Sequence, residues 1–184
     1  MPNILFRIRN KVKIKAGNEI ELGPSTRIRQ CQISIKGSGN KLVIKDGANL
    51  KGVQIELDGR NCTLVIGENC VIGEGCYLSA RENNTSLRIG KGCMFSRNVK
   101  VMTSDGHDIL SENRRINYAK DIQIGDRVWL ADGAVVLKGS NIGSGSVVGI
   151  NSVVTKSVPE NSIATGNPAR TVKSDIIWDE KLTY

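Results

Sequence analysis

A six-residue period between residues 124 and 159 constrains the fold of this chain more than any other feature. A large aliphatic side chain occupies every sixth position without a slip, at Ile124, Leu130, Val136, Ile142, Val148 and Val154. The fourth position of successive hexads holds residue types that tolerate the positive φ of a tight corner, namely Gly133, Gly139, Gly145 and Asn151. Because three hexads make one three-sided coil of short strands, the segment predicts two stacked coils of a parallel β-helix.

An earlier block over residues 66–101 keeps the same rule, with Ile66, Ile72, Leu78, Ile89, Phe95 and Val101 in the aliphatic position. Two polar stretches interrupt the period, a short one at 81–86 and a longer one at 102–121. We predict that the longer stretch is a loop extruded from one corner of the coils. Loops held on a rigid scaffold are common places for chemistry.

These patterns predict one all-β domain over residues 1–184. Residues 1–65 form irregular basic coils, 66–159 form regular hexapeptide coils with the loop 102–121, and 160–184 form a tail that leaves the repeat after Pro159. The pattern does not decide whether the end of the tail is a short strand or a helix. Aromatic residues are only 4% of the chain, which suits a narrow core filled by Val, Ile and Leu.

The cysteines indicate core packing in a reducing compartment. There are five, an odd number, without the Cys-x-x-Cys spacing of a metal or redox site. Cys70, Cys76 and Cys93 fall in the hexad position that small side chains fill. The sequence also has neither a signal-peptide pattern nor a transmembrane-length apolar run, so we expect a cytoplasmic protein that binds no metal.

Positive charge is concentrated at the N-terminal end. Residues 1–45 hold ten Lys or Arg against two acidic residues, whereas residues 46–184 hold sixteen of each sign. Residues 7–15 alternate basic and apolar side chains, which predicts a strand with one basic face. This face is either an ordinary solvated surface or a contact for an anionic partner, such as a charged glycan, a lipid-linked precursor or a membrane surface, rather than nucleic acid.

Residues 89–173 resemble the hexapeptide-repeat acetyltransferases that include galactoside, maltose and polysialic acid O-acetyltransferases. Several motifs carry the resemblance in order: SRNVKV, the loop dipeptide Gly106–His107, VWLA, VVTKSVP and GNPAR. Two positions depart from the family's pattern, with Ala131 in place of a usual Gly and Ile150–Asn151 in place of a frequent Ala-Gly.

The resemblance implies a left-handed parallel β-helix, a homotrimer, acetyl-CoA as the acyl donor and an active site between subunits. It implies that the donor is contacted by Ala131, Gly149, Ile150, Thr155, Lys156 and Arg170. Lys156 and Arg170 are the candidates for the CoA phosphates because of their charge. A β-carbon at Ala131 and a side chain at Ile150 would narrow the channel expected for the pantetheine arm.

Acyl transfer to a sugar hydroxyl needs a base with a pKa near neutrality, and histidine fits that requirement best. The chain has one histidine, His107, in the predicted loop and flanked by Asp105 and Asp108. We therefore predict His107 as the general base and Asp105 as its catalytic partner. By resemblance, Trp129, Ser96 and Asn98 are candidates for holding the acceptor.

The function that these features favour is O-acetylation of a sugar hydroxyl, on a bacterial surface polysaccharide or its precursor. Two alternatives stay open: N-acetylation of an amino sugar or its nucleotide derivative, and a non-catalytic β-helix that binds or organises other molecules. A zinc hydratase on the same fold is excluded because it needs three histidines and the chain has one.

Overall fold

The computed structural model describes residues 4–181 as one short helix followed by 23 strands. Residues 1–3, at the start of the predicted N-terminal coils, and residues 182–184, at the end of the predicted tail, lie outside the described residues. In chain order the elements are α1 (Ile4–Arg9), β1 (Lys11–Ile14), β2 (Glu19–Leu22), β3 (Arg27–Arg29), β4 (Gln32–Ser38), β5 (Lys41–Ile44), β6 (Asn49–Lys51), β7 (Gln54–Arg60), β8 (Thr63–Ile66), β9 (Val71–Ile72), β10 (Tyr77–Arg81), β11 (Ser86–Ile89), β12 (Met94–Phe95), β13 (Lys100–Met102), β14 (Leu110–Ser111), β15 (Arg114–Arg115), β16 (Ile122–Ile124), β17 (Trp129–Leu130), β18 (Val135–Leu137), β19 (Asn141–Ile142), β20 (Val147–Val148), β21 (Val153–Val154), β22 (Ile163–Gly166) and β23 (Ala169–Lys173).

The strands stack into three sheets, which we call faces A, B and C of a three-sided prism. Face A has the order β1-β4-β7-β10-β13-β18-β21, face B has β19-β16-β11-β8-β5-β2, and face C has β23-β22-β20-β17-β12-β9-β6-β3. From β1 to β13 and from β16 to β22, consecutive strands lie on different faces, and each strand after the first coil pairs in parallel with the strand one coil earlier. The predicted parallel β-helix with an extruded loop is therefore confirmed.

The N-terminal coils lack the six-residue period but are regular in another way. Gln32 pairs with Gln54, 22 residues later, whereas Val135 pairs with Val153, 18 residues later. The extra residues lengthen the strands of face A, where β4 and β7 each have seven residues. A longer coil moves the inward positions off the six-residue spacing, which is why the sequence pattern looks irregular there.

The interior is a continuous column of Leu, Ile and Val side chains that runs along the coils. All five cysteines are buried and unpaired within it, as predicted for core packing. Burial raises the pKa of the Cys76 thiol to about 11, so this side chain stays protonated and acts as a small apolar group.

The N-terminal strand prediction is wrong for residues 7–9. These residues belong to α1, and only Lys11–Ile14 form β1. The Phe6 side chain is buried beneath the helix, and Asn10 Nδ2 donates to the carbonyls of Phe6 and Ile28 at 2.9 and 3.0 Å. Within residues 4–181 no other strand covers the outer side of the first coil, and the contact of α1 with this apolar end outweighs the local alternation. No helix among residues 4–181 is long and apolar enough to span a membrane.

The tail stays in the repeat for longer than predicted. β22 pairs in parallel with β20 and so adds another rung to face C beyond Pro159. Gly166 has a positive φ and the Asn167–Pro168 peptide bond is cis, and β23 then turns back antiparallel to β22. The part of the tail up to Lys173 therefore forms strands, whereas residues 174–181, where the sequence left a short strand or a helix open, form neither.

Two glycines test how closely the coils are stacked. Gly17 and Gly37 share a positive φ of 79° and 80°, but a β-carbon at Gly17 meets nothing within 4 Å, whereas one at Gly37 overlaps the carbonyl oxygen of Gly59. We expect Gly17→Ala to lower the free energy of unfolding by about 1 kcal/mol, and Gly37→Ala by about 3 kcal/mol or more because two coils must separate. Thermal and denaturant unfolding measure both. Equal losses would contradict the described stacking.

Candidate active site

The loop over residues 103–121 leaves the prism between β13 of face A and β16 of face B. It contains a small hairpin in which β14 and β15 pair antiparallel. The two residues between them, Glu112 and Asn113, have φ of 50° and 59°, the left-handed pair that a two-residue hairpin turn requires. The loop is thus an ordered element and not an irregular excursion.

Arg115 ties this loop to the earlier interruption at 81–86. Its Nη2 donates to Glu82 Oε1 at 2.7 Å, and its Nε lies 3.0 Å from Asp108 Oδ1. Ser104 Oγ also donates to Glu82 Oε1 at 2.7 Å. Partial burial raises the pKa of Glu82, but the hydrogen bonds from Arg115 and Ser104 outweigh it and leave the pKa below its ordinary value. The two interruptions of the repeat therefore form one anchored unit.

A second anchor joins the loop to the next coil. Lys138 Nζ donates to Asp105 Oδ2 and, at 2.8 Å, to the Asn117 carbonyl. Asn117 Nδ2 donates to Asp105 Oδ2 and to the His107 carbonyl, both at 2.8 Å. Desolvation raises the pKa of Asp105, yet the bonds from Lys138 and Asn117 hold it below its usual range. Asp105 is thus ionised at neutral pH and fixes the backbone beside His107.

The His107 side chain is exposed at this anchored loop. Among residues 4–181 its imidazole makes no hydrogen bond, because Asp105 is bound to Lys138 and Asn117, and Asp108 is bound to Arg115. Both predicted catalytic residues lie in one loop, but Asp105 contacts the loop backbone through Asn117 and not the imidazole. The imidazole is left free to meet another group.

Trp129 and Ser96 lie together on face C. Trp129 Nε1 donates to Ser96 Oγ at 3.1 Å. The Trp129 ring is 6.0 Å from the ring of Trp178 at an interplanar angle of 42°, within the range of favourable aromatic pairs. Trp178 Nε1 in turn donates to the Arg127 carbonyl at 2.7 Å. Trp178, near the end of the tail, therefore packs beside Trp129, which the sequence predicted to hold the acceptor sugar.

Ser96, Ala131 and Gly149 occupy successive rungs at the edge between faces C and A. The Ala131 and Gly149 N–H groups donate within the prism, to the Val148 and Ala164 carbonyls at 2.9 Å each. A β-carbon at Gly149 would lie 2.6 Å from Thr165 Cγ2, so glycine there also serves the stacking of the coils. The Ile150 side chain beside it is exposed.

Asn98 occupies a corner of the prism. Its φ is 59°, and its Oδ1 stands where a β-carbon at Gly75 would be. Its backbone N–H donates to the Glu74 carbonyl at 3.0 Å. These contacts give Asn98 a part in forming the turn between β12 and β13, two residues after Ser96.

The predicted donor residues Thr155, Lys156 and Arg170 are exposed. By the register of β18 and β21, Thr155 and Lys156 lie one coil beyond Leu137 and Lys138. Arg170 lies on β23, opposite Thr165. Within residues 4–181, neither Lys156 nor Arg170 pairs with a carboxylate, so both cations are available to an anionic group.

Nine of the eleven predicted site residues fall into two groups on two edges of the prism, while Asn98 lies in the corner after Ser96 and Arg170 lies on β23 of face C. The edge between faces A and B, which we call the loop edge, holds Asp105, His107, Thr155 and Lys156. We call the edge between faces C and A, together with the adjoining part of face C, the tryptophan edge. It holds Ser96, Trp129, Ala131, Gly149 and Ile150. Because the strands of face A lie between them, one chain does not bring the two groups into one pocket.

Sequence reasoning missed the residues that hold these groups in place. Lys138, Asn117 and Arg115 anchor the loop, and Trp178 packs on Trp129. Each of these contacts joins residues that are at least seven positions apart in the sequence, so no local pattern could identify them. The scarcity of aromatic residues, with only two tryptophans, was the one available signal for Trp178.

The carboxylate anchors predict that the loop loosens in acid. The ion pairs of Asp105 and Glu82, whose folded pKa values are lowered, stabilise the loop above the unfolded pKa values, and this contribution disappears as pH falls through the folded values. We expect hydrogen-exchange protection of residues 104–120, corrected for intrinsic rates, to fall between about pH 5 and pH 3, while β16 stays protected. Lys138→Met should loosen the loop at neutral pH, and Lys156→Met, one coil away, should not. Unchanged protection at pH 3 would contradict the anchoring.

The three-sided stack of coils and the extruded loop with the single histidine define a hexapeptide-repeat β-helix of the transferase type. No family model matches the chain. The polysialic acid O-acetyltransferase of Neisseria meningitidis is 34% identical over 189 aligned positions, which cover 91% of this chain and 88% of that protein. The crystal structure of the polySia-specific acetyltransferase NeuO superposes with a TM-score of 0.77 at 31% identity, over 90% of this chain and 79% of that one.

The chain belongs to the hexapeptide-repeat acetyltransferase family that contains the polysialic acid O-acetyltransferases, as the motifs predicted. Some relatives are considerably longer. The polysialic acid O-acetyltransferase of Escherichia coli O1:K1 is 34% identical over 137 positions, which are 73% of this chain but 43% of that protein. The chain spans between 42% and 58% of the length of four of the curated relatives it matches.

Proposed function

We propose that the protein is a cytoplasmic acetyl-CoA-dependent O-acetyltransferase that acts on a sugar hydroxyl of a bacterial surface polysaccharide or its precursor. One observation carries the proposal: the only histidine of a chain from this family stands exposed on a loop anchored by ion pairs, and its imidazole makes no hydrogen bond among residues 4–181. The names of the relatives, which are polysialic acid O-acetyltransferases, support a sugar acceptor.

In the proposed reaction, neutral His107 takes the proton of the acceptor hydroxyl as its oxygen attacks the thioester carbonyl. The C–O bond forms, the C–S bond breaks, and the imidazolium returns the proton to the departing thiolate. The products are an acetyl ester and free CoA. A backbone N–H that is not used within the coils would stabilise the oxyanion, and the pKa of a histidine near neutrality suits both proton transfers.

Asp105 has a positioning role in this proposal. It binds Asn117, and Asn117 binds the carbonyl of His107, so the aspartate acts on the base through the backbone. Lys138 keeps the carboxylate ionised and in place. The sequence predicted Asp105 as the direct catalytic partner of His107, whereas in this proposal it acts on His107 only through Asn117.

The remaining assignments follow from the two edges. Lys156 and Arg170, which pair with no carboxylate among the described residues, suit the phosphates of CoA. The pantetheine arm would be lined by Ala131, Gly149, Ile150 and Thr155. The acceptor would be held by Trp129, Ser96 and Asn98. Of these three, Trp129 and Ser96 have the stronger support, because Asn98 is already used in a corner. No metal takes part in the proposed chemistry.

We further propose a homotrimer in which the loop edge of one chain faces the tryptophan edge of the next. The separation of the two groups in one chain supports this arrangement. The loop also presents four large apolar side chains that are 53–62% exposed, Ile109, Leu110, Ile116 and Tyr118. Such a cluster on a small loop is typical of a surface that is covered by another chain.

Donor binding gives a test that is independent of the acceptor. CoA should raise the thermal midpoint without added metal, because binding to the folded state stabilises it by mass action. Lys156→Ala and Arg170→Ala should each raise the Kd for CoA about tenfold or more, since each removes a charge-assisted contact. Arg88→Ala is the matched control, because Arg88 lies on face B, away from both edges. A shift that requires zinc, or none at millimolar CoA, would count against the assignment.

A thiol-release assay with acetyl-CoA and a panel of saccharides tests the function itself. Acceptor-dependent release with an ester product supports O-acetylation. An amide product on an amino sugar would establish the N-acetyltransferase alternative instead. Absence of both CoA binding and release would leave the non-catalytic alternative.

A further inference from the structure

The N-terminal end of the prism leaves part of its apolar core uncovered. β1, β2 and β3 form the first coil, and within residues 4–181 no strand pairs with its outer side. Inward-facing Val12, Ile14, Ile20 and Leu22 pack against the core but are only partly buried. The helix α1 crosses this end and buries Phe6, yet six residues cover only part of the opening.

The outer side of α1 is itself apolar. Leu5 is 56% exposed and Ile8 is 74% exposed, and residues three apart lie on one side of a helix. Ile8 is also nearly opposite the buried Phe6 at 100° per residue. The helix therefore presents two large aliphatic side chains to its surroundings, at the first-coil end of the described prism.

Unpaired positive charge surrounds these apolar residues. Within the part of the chain that the structure describes, no carboxylate pairs with Arg7, Arg9, Lys11, Lys13 or Lys15. The only acidic residues of the first coil, Glu19 and Glu21, both pair with Lys41 of the next coil, at 3.8 and 2.5 Å. Arg7, Lys13 and Lys15 also line one shallow depression with Lys36. The end of the prism thus combines an apolar centre with a cationic rim.

We propose that this end, which we call the basic cap (α1 and β1), docks on an anionic phospholipid surface. Leu5 and Ile8 enter the boundary between headgroups and acyl chains, and Arg7, Arg9 and the lysines of β1 contact the phosphates. A short amphipathic helix with basic flanks is the arrangement that binds such interfaces. A second basic cap would be repelled by its like charge, and a soluble polyanion would gain nothing from the exposed Leu5 and Ile8.

Docking in this way would set the height of the loop above the membrane. β13, from which the loop leaves, is four rungs from β1 on face A, which is about 19 Å at the spacing of paired strands. If the proposed acetyltransferase activity holds, His107 would then meet sugar units some distance from a membrane-bound lipid, as in a lipid-linked precursor. Only this consequence rests on the proposed function, and the docking itself does not.

Flotation of the whole protein with vesicles tests the docking without any activity measurement. We expect binding to phosphatidylcholine vesicles that contain phosphatidylglycerol, little binding to phosphatidylcholine alone, and weaker binding at high salt. Lys13→Ala with Lys15→Ala should weaken binding about 25-fold, at about fivefold for each lysine. Leu5→Ser with Ile8→Ser should also weaken it, whereas Ile177→Ser, at an exposed site on the tail, should not. Thermal unfolding checks that each variant is folded.

Ile8→Trp gives a direct readout of insertion. Brominated lipids should quench this tryptophan but not Trp129 and Trp178 of the parent protein. Absence of binding to anionic vesicles would overturn the proposal, and so would binding that the Leu5 and Ile8 changes leave intact. Binding to dextran sulfate but not to vesicles would also overturn it and would assign the basic cap to a polyanionic glycan.

Discussion

Replacing His107 with alanine is expected to lower the turnover of acetyl transfer by about 10²–10⁴-fold, the usual contribution of a general base. The affinity for CoA should stay near that of the parent protein, because a base acts mainly in the transition state. The thermal midpoint should also be unchanged, since the imidazole makes no hydrogen bond within residues 4–181. Steady-state kinetics and CoA titration measure the two effects separately.

Glu112→Ala provides the matched control for this variant. Glu112 lies at the exposed tip of the same loop, between β14 and β15, and the proposed reaction does not involve it. Turnover close to that of the parent protein is expected. A His107→Ala protein that keeps full activity would remove the histidine from the mechanism.

Mixing two inactive variants is expected to restore activity if the site is shared between chains. His107→Ala removes the proposed base from the loop edge, with about a 10²-fold loss or more, and Ala131→Phe is designed to fill the proposed donor path at the tryptophan edge. In trimers assembled from equal amounts of both, a site between neighbours combines two intact edges with a probability of about one quarter. Activity near a quarter of that of the parent protein should therefore return.

The mass of the particle is the companion measurement for this experiment. Three chains of 20.0 kDa give a trimer of about 60 kDa by light scattering. Separately purified variants that are mixed without dissociation should stay inactive, which controls for residual activity. An active monomer, or mixed trimers without recovered activity, would contradict the shared site.

The sequence predicted the coils well because their rule is local and repeated. The position of a residue within its hexad predicts whether its side chain points inward or lies at a corner. The inward positions from Ile124 to Val154 could therefore be assigned from the sequence. The rule did not extend to α1, because residues 7–9 are helical for a non-local reason: the open end of the first coil must be covered. The tail beyond Pro159 was uncertain for a similar reason, since β22 gains its place by pairing with β20.

The sequence predicted the site residues that belong to rare residue types. It did not predict the residues whose part in the site depends on contacts between distant positions of the chain. His107 stood out as the only histidine and Trp129 through its motif. The contacts that give the loop its form connect Arg115 to Glu82 and Lys138 to Asp105, and residues 33 apart in sequence show no pattern that links them. The split of the site between two edges became visible only when the faces were assigned.

The central claim is that this chain transfers acetyl groups from acetyl-CoA to a sugar hydroxyl with His107 as the base. The most direct measurement incubates the protein with acetyl-CoA and saccharide acceptors, polysialic acid among them, and follows CoA release together with the mass and alkali lability of the product. The account predicts one alkali-labile acetyl ester per CoA released, no dependence on added metal, and loss of both signals in His107→Ala. Acceptor-dependent CoA release that yields only alkali-stable amide, or no release with any saccharide by a protein that binds CoA, would contradict it.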